Sequence, residues 1–154
     1  MKNITNLDWS KDGQWLITSS EDMAIIWDVR SLSKTPSGRD AESPFSEFCK
    51  IPAHSCKISI CTFLEPHLSF SDTSADEPPL VIFGEYQALH IWKITKSTGS
   101  TVTPVRVTSI PNCQSGVVSC IDNCFDESLE NPTLLVASSS GGVKNNLKLW
   151  KYSS

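Results

Sequence analysis

The sequence lacks a long hydrophobic run, since no apolar segment approaches the roughly 20 residues that a membrane-spanning helix needs. The opening residues, Met-Lys-Asn-Ile-Thr-Asn, also lack the apolar core of a secretory signal peptide. A basic excess is missing too, because 13 Lys and Arg residues stand against 17 Asp and Glu residues and the net charge is −4. These absences predict a protein with no membrane contact and no direct nucleic-acid partner.

Catalytic and metal-binding motifs are equally scarce. The chain has three histidines, no Gly-x-Ser-x-Gly nucleophile elbow and no phosphate-binding loop spacing. Its six cysteines form no Cys-x-x-Cys pair, and the best metal candidate has spacings that match no common zinc pattern. The members of that candidate are His54, Cys56, Cys61 and His67. We therefore predict that the protein is not an enzyme and that it has no catalytic residue, no metal and no cofactor.

The cysteines favour a structural interpretation. Cys61 and Cys120 lie in strand-like runs, where a free cysteine behaves as a small buried hydrophobe. Reduced thiols suit a cytoplasmic or nuclear protein, so we expect one of these two compartments.

What the sequence does contain is a recurring strand unit that closes on a tryptophan. Three short apolar segments follow this pattern, and they end at Trp27, Trp92 and Trp150. A strand unit that cannot bury its own face must stack on copies of itself. The repeat predicts an all-β fold: a partial β-propeller of about three blades, each a four-stranded antiparallel sheet, in an incomplete ring.

The repeats form one predicted domain over residues 1–154, with approximate blades at 2–51, 52–110 and 111–154. The tryptophans are 65 and 58 residues apart, which exceeds the usual blade period of about 40–45. Insertions must make up the difference, and we place them at 29–45, 64–78, 95–103 and 124–131. They join the first strand to the second or the third to the fourth, so all four are expected on one rim, opposite a rim of short turns.

Three blades are too few for a ring, which usually has about four to eight. We therefore expect either the C-terminal part of a longer protein, packed on the remaining blades of that parent chain, or a chain that pairs with another molecule. The first alternative is favoured. In isolation such a chain would expose strand edges and apolar blade faces.

The repeats resemble WD repeats, because His54 lies four residues before Ile58 and Trp27-Asp28 supplies a Trp-Asp pair. The order of features is similar to the C-terminal WD repeats of LEUNIG-type plant transcriptional corepressors. The stretches that carry this likeness are 9–27, 61–92 and 136–151. The resemblance implies a nuclear scaffold whose partners are other proteins, namely transcription-factor or chromatin-linked complexes.

The same resemblance implies a buried network in each blade, built from a His, a Ser or Thr, an Asp and the Trp. Its predicted members are His54, Trp27, Asp28, Trp92 and Trp150. No unit holds the complete set, since Glu85-Tyr86 stands at the Asp position of the second unit and Gln114 at the His position of the third. His90, beside Trp92, is expected on the solvent side of its strand.

Candidate partner-binding residues lie on the rim of short turns, where they would cluster with His54 and the 139–146 loop. They are Glu21, Asp22, Glu85, Tyr86 and Gln87. An aromatic ring among carboxylates on rigid turns suits recognition of a short peptide or a basic tail. In the alternative interpretation Tyr86 packs between blades and the acids are merely solvated.

Two functions therefore remain open. The first is a protein-interaction scaffold that resembles the C-terminal part of a nuclear corepressor. The second is a truncated structural remnant of a WD-repeat protein, without binding activity of its own.

Overall fold

The computed structural model describes residues 3–30, 45–53, 56–64, 78–96, 101–126, 133–140 and 147–152. Within these ranges the chain forms eleven strands and no helix long and apolar enough to span a membrane. The strands are β1 (Asn6–Trp9), β2 (Trp15–Ser19), β3 (Met23–Asp28), β4 (Ser46–Pro52), β5 (Ile60–Leu64), β6 (Leu80–Glu85), β7 (Ala88–Lys96), β8 (Val102–Pro111), β9 (Val118–Asp126), β10 (Thr133–Ser140) and β11 (Leu147–Tyr152).

The strands assemble into three antiparallel sheets that follow one another along the chain. Sheet 1 has the order β1-β2-β3-β4, sheet 2 the order β5-β6-β7-β8, and sheet 3, in its described part, the order β9-β10-β11. Each strand pairs with its neighbour in sequence, so every sheet is an up-and-down meander. The predicted all-β partial propeller of antiparallel sheets is confirmed: sheets 1 and 2 have four strands each, and sheet 3 has three described strands.

The three repeated tryptophans occupy equivalent places. Trp27, Trp92 and Trp150 each lie on the third strand of their sheet, in β3, β7 and β11. Their partners on the second strands are Leu16, Val81 and Val136. The tryptophan that closes each repeat in the sequence therefore occupies the equivalent position in all three sheets.

Two hydrophobic cores hold the sheets together, one on each side of sheet 2. The core between sheets 1 and 2 includes Trp15, Ile17, Ile26, Phe63, Val81 and Phe83. The core on the other side, toward sheet 3, includes Leu64, Ile82, Leu89, Ile91, Val118 and Ile121. Full burial of one such side chain contributes about 1.5–3 kcal/mol, so the stacking of sheets supplies most of the driving force for the fold.

Side chains also join the first strands of sheets 1 and 2. The Oδ1 atom of Asn6 accepts a 3.0 Å hydrogen bond from the backbone N–H of Cys61. The Oδ2 atom of Asp8 accepts a 2.9 Å bond from the N–H of Phe63 and a 2.5 Å bond from the Thr62 hydroxyl. Backbone donors of β5 are thus satisfied by β1 side chains, which fixes the register of one sheet against the next.

Sheet 3 is joined to sheet 2 in a similar way. The side-chain amide of Asn123 donates a 3.0 Å hydrogen bond to the carbonyl of Phe63. The hydroxyl of Ser59 lies 2.8 Å from the Gly84 carbonyl and 2.6 Å from the Val118 carbonyl, so it bridges β6 and β9. The first strands of all three sheets therefore form one connected layer.

Some strands extend further than the sequence pattern predicts. β7 ends at Lys96 and β8 begins at Val102, so the ends of the predicted 95–103 insertion pair within sheet 2. β9 runs to Asp126 and takes in the first residues of the 124–131 insertion. At the first of these places, the β-branched residues Thr95, Val102 and Thr103 favour continued strand pairing. The predicted insertions at 29–45 and 64–78 fall largely outside the described residues.

Candidate functional site

The short turns between second and third strands, and the segments that lead into β5 and β9, lie on one side of the sheets. We call this side the short-turn rim and define it by the turns 20–22 and 86–87 and the segments 56–59 and 112–117. All five predicted partner-binding residues belong to it or to the strand end beside it.

The turn at 20–22 is held firmly by hydrogen bonds. The Ser20 hydroxyl donates a 2.9 Å bond to Asp22 Oδ1 within the turn. The carbonyls of Glu21 and Asp22 accept bonds from the N–H groups of Ile58 (2.8 Å) and Ala53 (2.9 Å). The first turn of the rim is thereby fixed to the chain that leads into sheet 2.

Glu21 lies at the surface but already has a cationic partner. Its Oε2 atom is 2.6 Å from the Nζ atom of Lys57, and both side chains are largely exposed. Exposed ion pairs contribute little stability and exchange readily with water or another charge. The rim therefore carries charges of both signs here, where the sequence predicts an acidic cluster.

Glu85 is the predicted binding residue that the structure places in the interior. Its side chain is fully buried, and its Oε2 atom accepts a 3.2 Å hydrogen bond from the N–H of Cys56. The same oxygen lies 3.5 Å from His90 Nε2. Since sheet 2 is covered on both faces, the end of β6 has no solvent side, and the Glu85 carboxylate is not available to a partner in this arrangement.

His90 was expected on the solvent side of its strand, and that expectation is wrong. The exposed fraction of His90 is only 4%, and the Nδ1 atom of His90 is 2.8 Å from the Ser109 hydroxyl. Residues two apart on a strand share a face, so His90 lies on the same side as Trp92, toward sheet 1. This alternation was available in the sequence and could have placed His90 on the same face as Trp92.

Tyr86 forms the exposed part of the second turn. It is 51% exposed and stands opposite Val117, itself 50% exposed, across an isolated antiparallel bridge. Gln87 follows with a positive φ of 61°, and its backbone is fixed by bonds to Gly116 (3.0 Å) and from Cys113 (2.9 Å). Sequence reasoning missed Val117, because no local pattern shows that it faces Tyr86.

The tryptophans of the predicted structural network in sheets 1 and 2 have different surroundings. Trp27 Nε1 donates a 2.9 Å hydrogen bond to the hydroxyl of Thr18, a contact between two residue types of the network that the resemblance implies. In sheet 2 the register of Thr18 is taken by Phe83, whose ring centroid lies 6.4 Å from that of Trp92. Among the described residues, the buried Nε1 atom of Trp92 has no hydrogen-bond partner.

Asp28 has its own structural partner. Its carboxylate accepts bonds from Arg30 Nε at 3.0 and 3.1 Å, and the guanidinium of Arg30 lies 5.0 Å from the centre of the Trp15 ring. The hydrogen bond from Arg30 is the main cause that lowers the pKa of Asp28 below its usual value. Asp28 therefore fastens the end of β3 to the core through Arg30 and Trp15.

The remaining predicted site residues divide into described and undescribed ones. His54, His67 and residues 141–146 of the predicted loop lie outside the described residues, whereas Gln114 is buried ahead of β9. Cys61 is buried as predicted, and burial raises the pKa of its thiol to about 12. Cys120 is exposed, contrary to the prediction, because it lies on the face of sheet 3 that points away from sheet 2. No group of three or more metal-ligating side chains occurs in the part of the chain that the structure describes.

Comparison with known proteins bears on the first sheet and on the whole fold. Residues 2–28 match the family model of the WD domain, G-beta repeat. This segment is therefore similar to a WD-type repeat. It comprises β1, β2 and β3 and includes the bonded pair Thr18 and Trp27.

The fold as a whole is similar to the crystal structure of the WD40 domain of SCAP from fission yeast, with a TM-score of 0.54 and 12% sequence identity. The similarity covers 99% of this chain and 32% of that chain, so the protein spans about a third of the length of that structure. At this identity the likeness shows the fold alone.

Proposed function

We propose that this protein is a WD-repeat scaffold that binds another protein through Tyr86 and Val117 on the short-turn rim. The observation that carries the proposal is the pair of large exposed side chains on a backbone fixed by hydrogen bonds at Gln87. Tyrosine is enriched among the residues that dominate binding energy, since it buries a large ring at a small entropic cost. A rigid support reduces the ordering cost of binding further.

The surroundings of Tyr86 favour one kind of ligand over another. The sequence allows a short peptide or a basic tail, but Glu85 is buried and Glu21 is already paired with Lys57. The rim thus presents an apolar centre with charges of both signs near it. These contacts support a short peptide with an apolar anchor as the ligand, in preference to a purely basic tail.

The likeness to LEUNIG-type repeats supports a finer proposal. We infer that the scaffold acts in the nucleus, as part of a transcriptional corepressor, and that its partners are transcription factors or chromatin-linked proteins. The net charge of −4 favours protein partners over direct contact with nucleic acid. A cytoplasmic scaffold is the second possibility for the compartment.

The binding surface can be tested by placing a photo-crosslinking phenylalanine analogue at Tyr86. Val107, an exposed apolar residue of β8, is the matched control position. We expect crosslinked partners from position 86 only, identified by mass spectrometry in separate nuclear and cytoplasmic extracts. Equal capture at both positions would contradict the proposed surface, and capture only from cytoplasm would contradict the corepressor proposal.

Affinity for the purified partner then provides a second test. Tyr86→Ala should weaken binding by about tenfold or more, whereas Val107→Ala should leave the dissociation constant nearly unchanged. Circular dichroism checks that both variants keep their strands. A folded protein that captures no partner from either extract would favour the alternative, a structural remnant without binding activity.

A further inference from the structure

Neighbouring sheets of this chain pack by one rule. We define the front face of a sheet as the one that bears the third-strand tryptophan, and the back face as the opposite one. Trp92 on the front of sheet 2 packs against the core shared with sheet 1, and Trp150 packs against the core shared with sheet 2. In both internal contacts, the front face of one sheet therefore covers the back face of the preceding sheet.

The front face of sheet 1 is not covered by any of the described strands. Trp9, Leu16 and Trp27 lie in one row across its first three strands, with Leu7 beside them. Leu7 is 57% and Trp9 46% exposed, although the equivalent position in sheet 2, Phe63, is buried. Sheet 1 thus presents the apolar surface of an internal contact, and no strand in the described part of the chain packs on it.

The back face of sheet 3 is open in the same sense. Leu147 and Leu149 are 73% and 68% exposed. Pairing through β10 places Cys120 and Asp122 on the same face, and both are exposed as well. This face is equivalent to the back faces of sheets 1 and 2, which are buried against their neighbours.

A polar feature of the internal contact is repeated on this open back face. Counted across the sheet from the third-strand tryptophan, Asp122 occupies in β9 the place that Asp8 occupies in β1. Asp8 is the residue that joins sheet 1 to the N–H of Phe63 in sheet 2. The back face of sheet 3 therefore carries both the apolar surface and the carboxylate of a sheet-to-sheet contact.

We propose that two copies of this chain join head to tail, with the front face of sheet 1 in each copy packed on the back face of sheet 3 in the other. Both halves of the contact are present on one chain, but three sheets cannot curve far enough to bring them together. Two copies supply six sheets, which falls within the range of about four to eight that closes a propeller. The two contacts are related by a twofold axis, so the assembly closes and does not grow into a filament.

Sedimentation velocity of the full 154-residue chain over a broad concentration series provides the first test. We expect a species with about twice the 17.0 kDa mass of one chain. Trp9→Asp alters the front face and Leu149→Asp the back face, and each should weaken association by about 30-fold or more. Val107→Asp, on the outer strand of sheet 2, is the control and should leave association unchanged.

Mixing the two variants distinguishes head-to-tail pairing from other geometries. When one Trp9→Asp chain pairs with one Leu149→Asp chain, both substitutions lie in the same contact and the other contact is native. Two-chain species should therefore reappear in the mixture. A dimer through two back faces would instead tolerate Trp9→Asp, and that result would overturn the proposal. A folded wild-type chain that stays monomeric throughout the series would overturn it too.

Thiol labelling tests the same contact without any substitution. Cys120 and Cys124 are exposed on the back face of sheet 3, whereas Cys56 is exposed on the short-turn rim. Modification by iodoacetamide should slow at Cys120 and Cys124 as the protein concentration rises, while the rate at Cys56 stays constant. Equal rates at all three thiols over the whole series would contradict the proposed contact.

Discussion

The indole nitrogen of Trp27 donates a 2.9 Å hydrogen bond to the hydroxyl of Thr18, whereas the equivalent indole of Trp92 lies beside the ring of Phe83. Thr18 and Phe83 occupy the same register relative to their tryptophans. The same position therefore offers a hydroxyl to the indole in sheet 1 and an aromatic ring in sheet 2. Sheet 1 uses a polar bond at a half-buried site. Sheet 2, buried on both faces, uses apolar contact and leaves the buried Trp92 nitrogen without a bond among the described residues.

The bond in sheet 1 leads to a first prediction. Thr18→Val keeps the shape of the side chain but removes the acceptor, so the free energy of unfolding should fall by about 1 kcal/mol. Urea denaturation measures the change, with Thr103→Val on the exposed part of β8 as the matched control. Equal losses in both variants would show that the Trp27 bond contributes nothing specific.

Glu85 gives a second prediction, because it is buried and serves the fold. Glu85→Ala removes the acceptor of the Cys56 N–H and the partner of His90, so the free energy of unfolding should fall by about 2–4 kcal/mol. Glu21→Ala, which breaks an exposed ion pair, should change it by less than about 1 kcal/mol. Thermal unfolding of the two variants side by side makes the comparison. A Glu85→Ala protein as stable as the Glu21→Ala protein would contradict the buried role.

Gly84 gives a third prediction, which concerns close packing between sheets 2 and 3. A Cβ atom added at this position would lie 2.7 Å from a methyl carbon of Ile60 and 2.8 Å from two carbons of Val118. Gly84→Ala should therefore destabilise the protein by about 1–3 kcal/mol through overpacking. Val118→Ala removes the Cγ1 contact, so if this steric reason is correct the loss in the double variant should be smaller than the sum of the two single losses. Additive losses in the double variant would argue against it.

The Asp28–Arg30 pair gives a prediction about pH. Because Arg30 lowers the pKa of Asp28 below 3.8, the folded state favours the carboxylate, and this stabilisation is present above the unfolded pKa. It is lost as the pH falls through the lower, folded value. Asp28→Asn should thus reduce the free energy of unfolding by up to about 1 kcal/mol at pH 7, since both side chains are partly solvated.

The same variant should show no difference from wild type well below pH 3.8. Urea titrations at both pH values measure this, and an Arg30→Gln background should abolish the difference at neutral pH. A constant difference at every pH would exclude the ion pair as its cause.

The architecture could be predicted from the sequence because its signals are local. Each strand that ends at Trp27, Trp92 or Trp150 carries its own apolar pattern, and a repeated pattern predicts stacked sheets without knowledge of any contact. Cys61 was predicted to be buried for the same local reason, and it is buried.

The environment of single side chains depends on long-range packing and was harder to predict. Cys61 and Cys120 have similar local sequences, but only Cys61 has a sheet on its side. Glu85 and His90 are buried because sheet 2 lies between two others. Strand alternation places His90 on the same face as Trp92, but it does not show that another sheet covers that face. Tyr86 was predicted as a surface candidate and is exposed, while its partner-binding role stays a prediction.

The short amide and carboxylate side chains of Asn6 and Asp8 act as spacers between inner strands, because each reaches the backbone of β5 directly. The angular step from one sheet to the next is therefore coupled to the length of two side chains. A single added methylene at either position would increase the distance between β1 and β5. A ring built from sheets with this larger spacing would have a larger circumference.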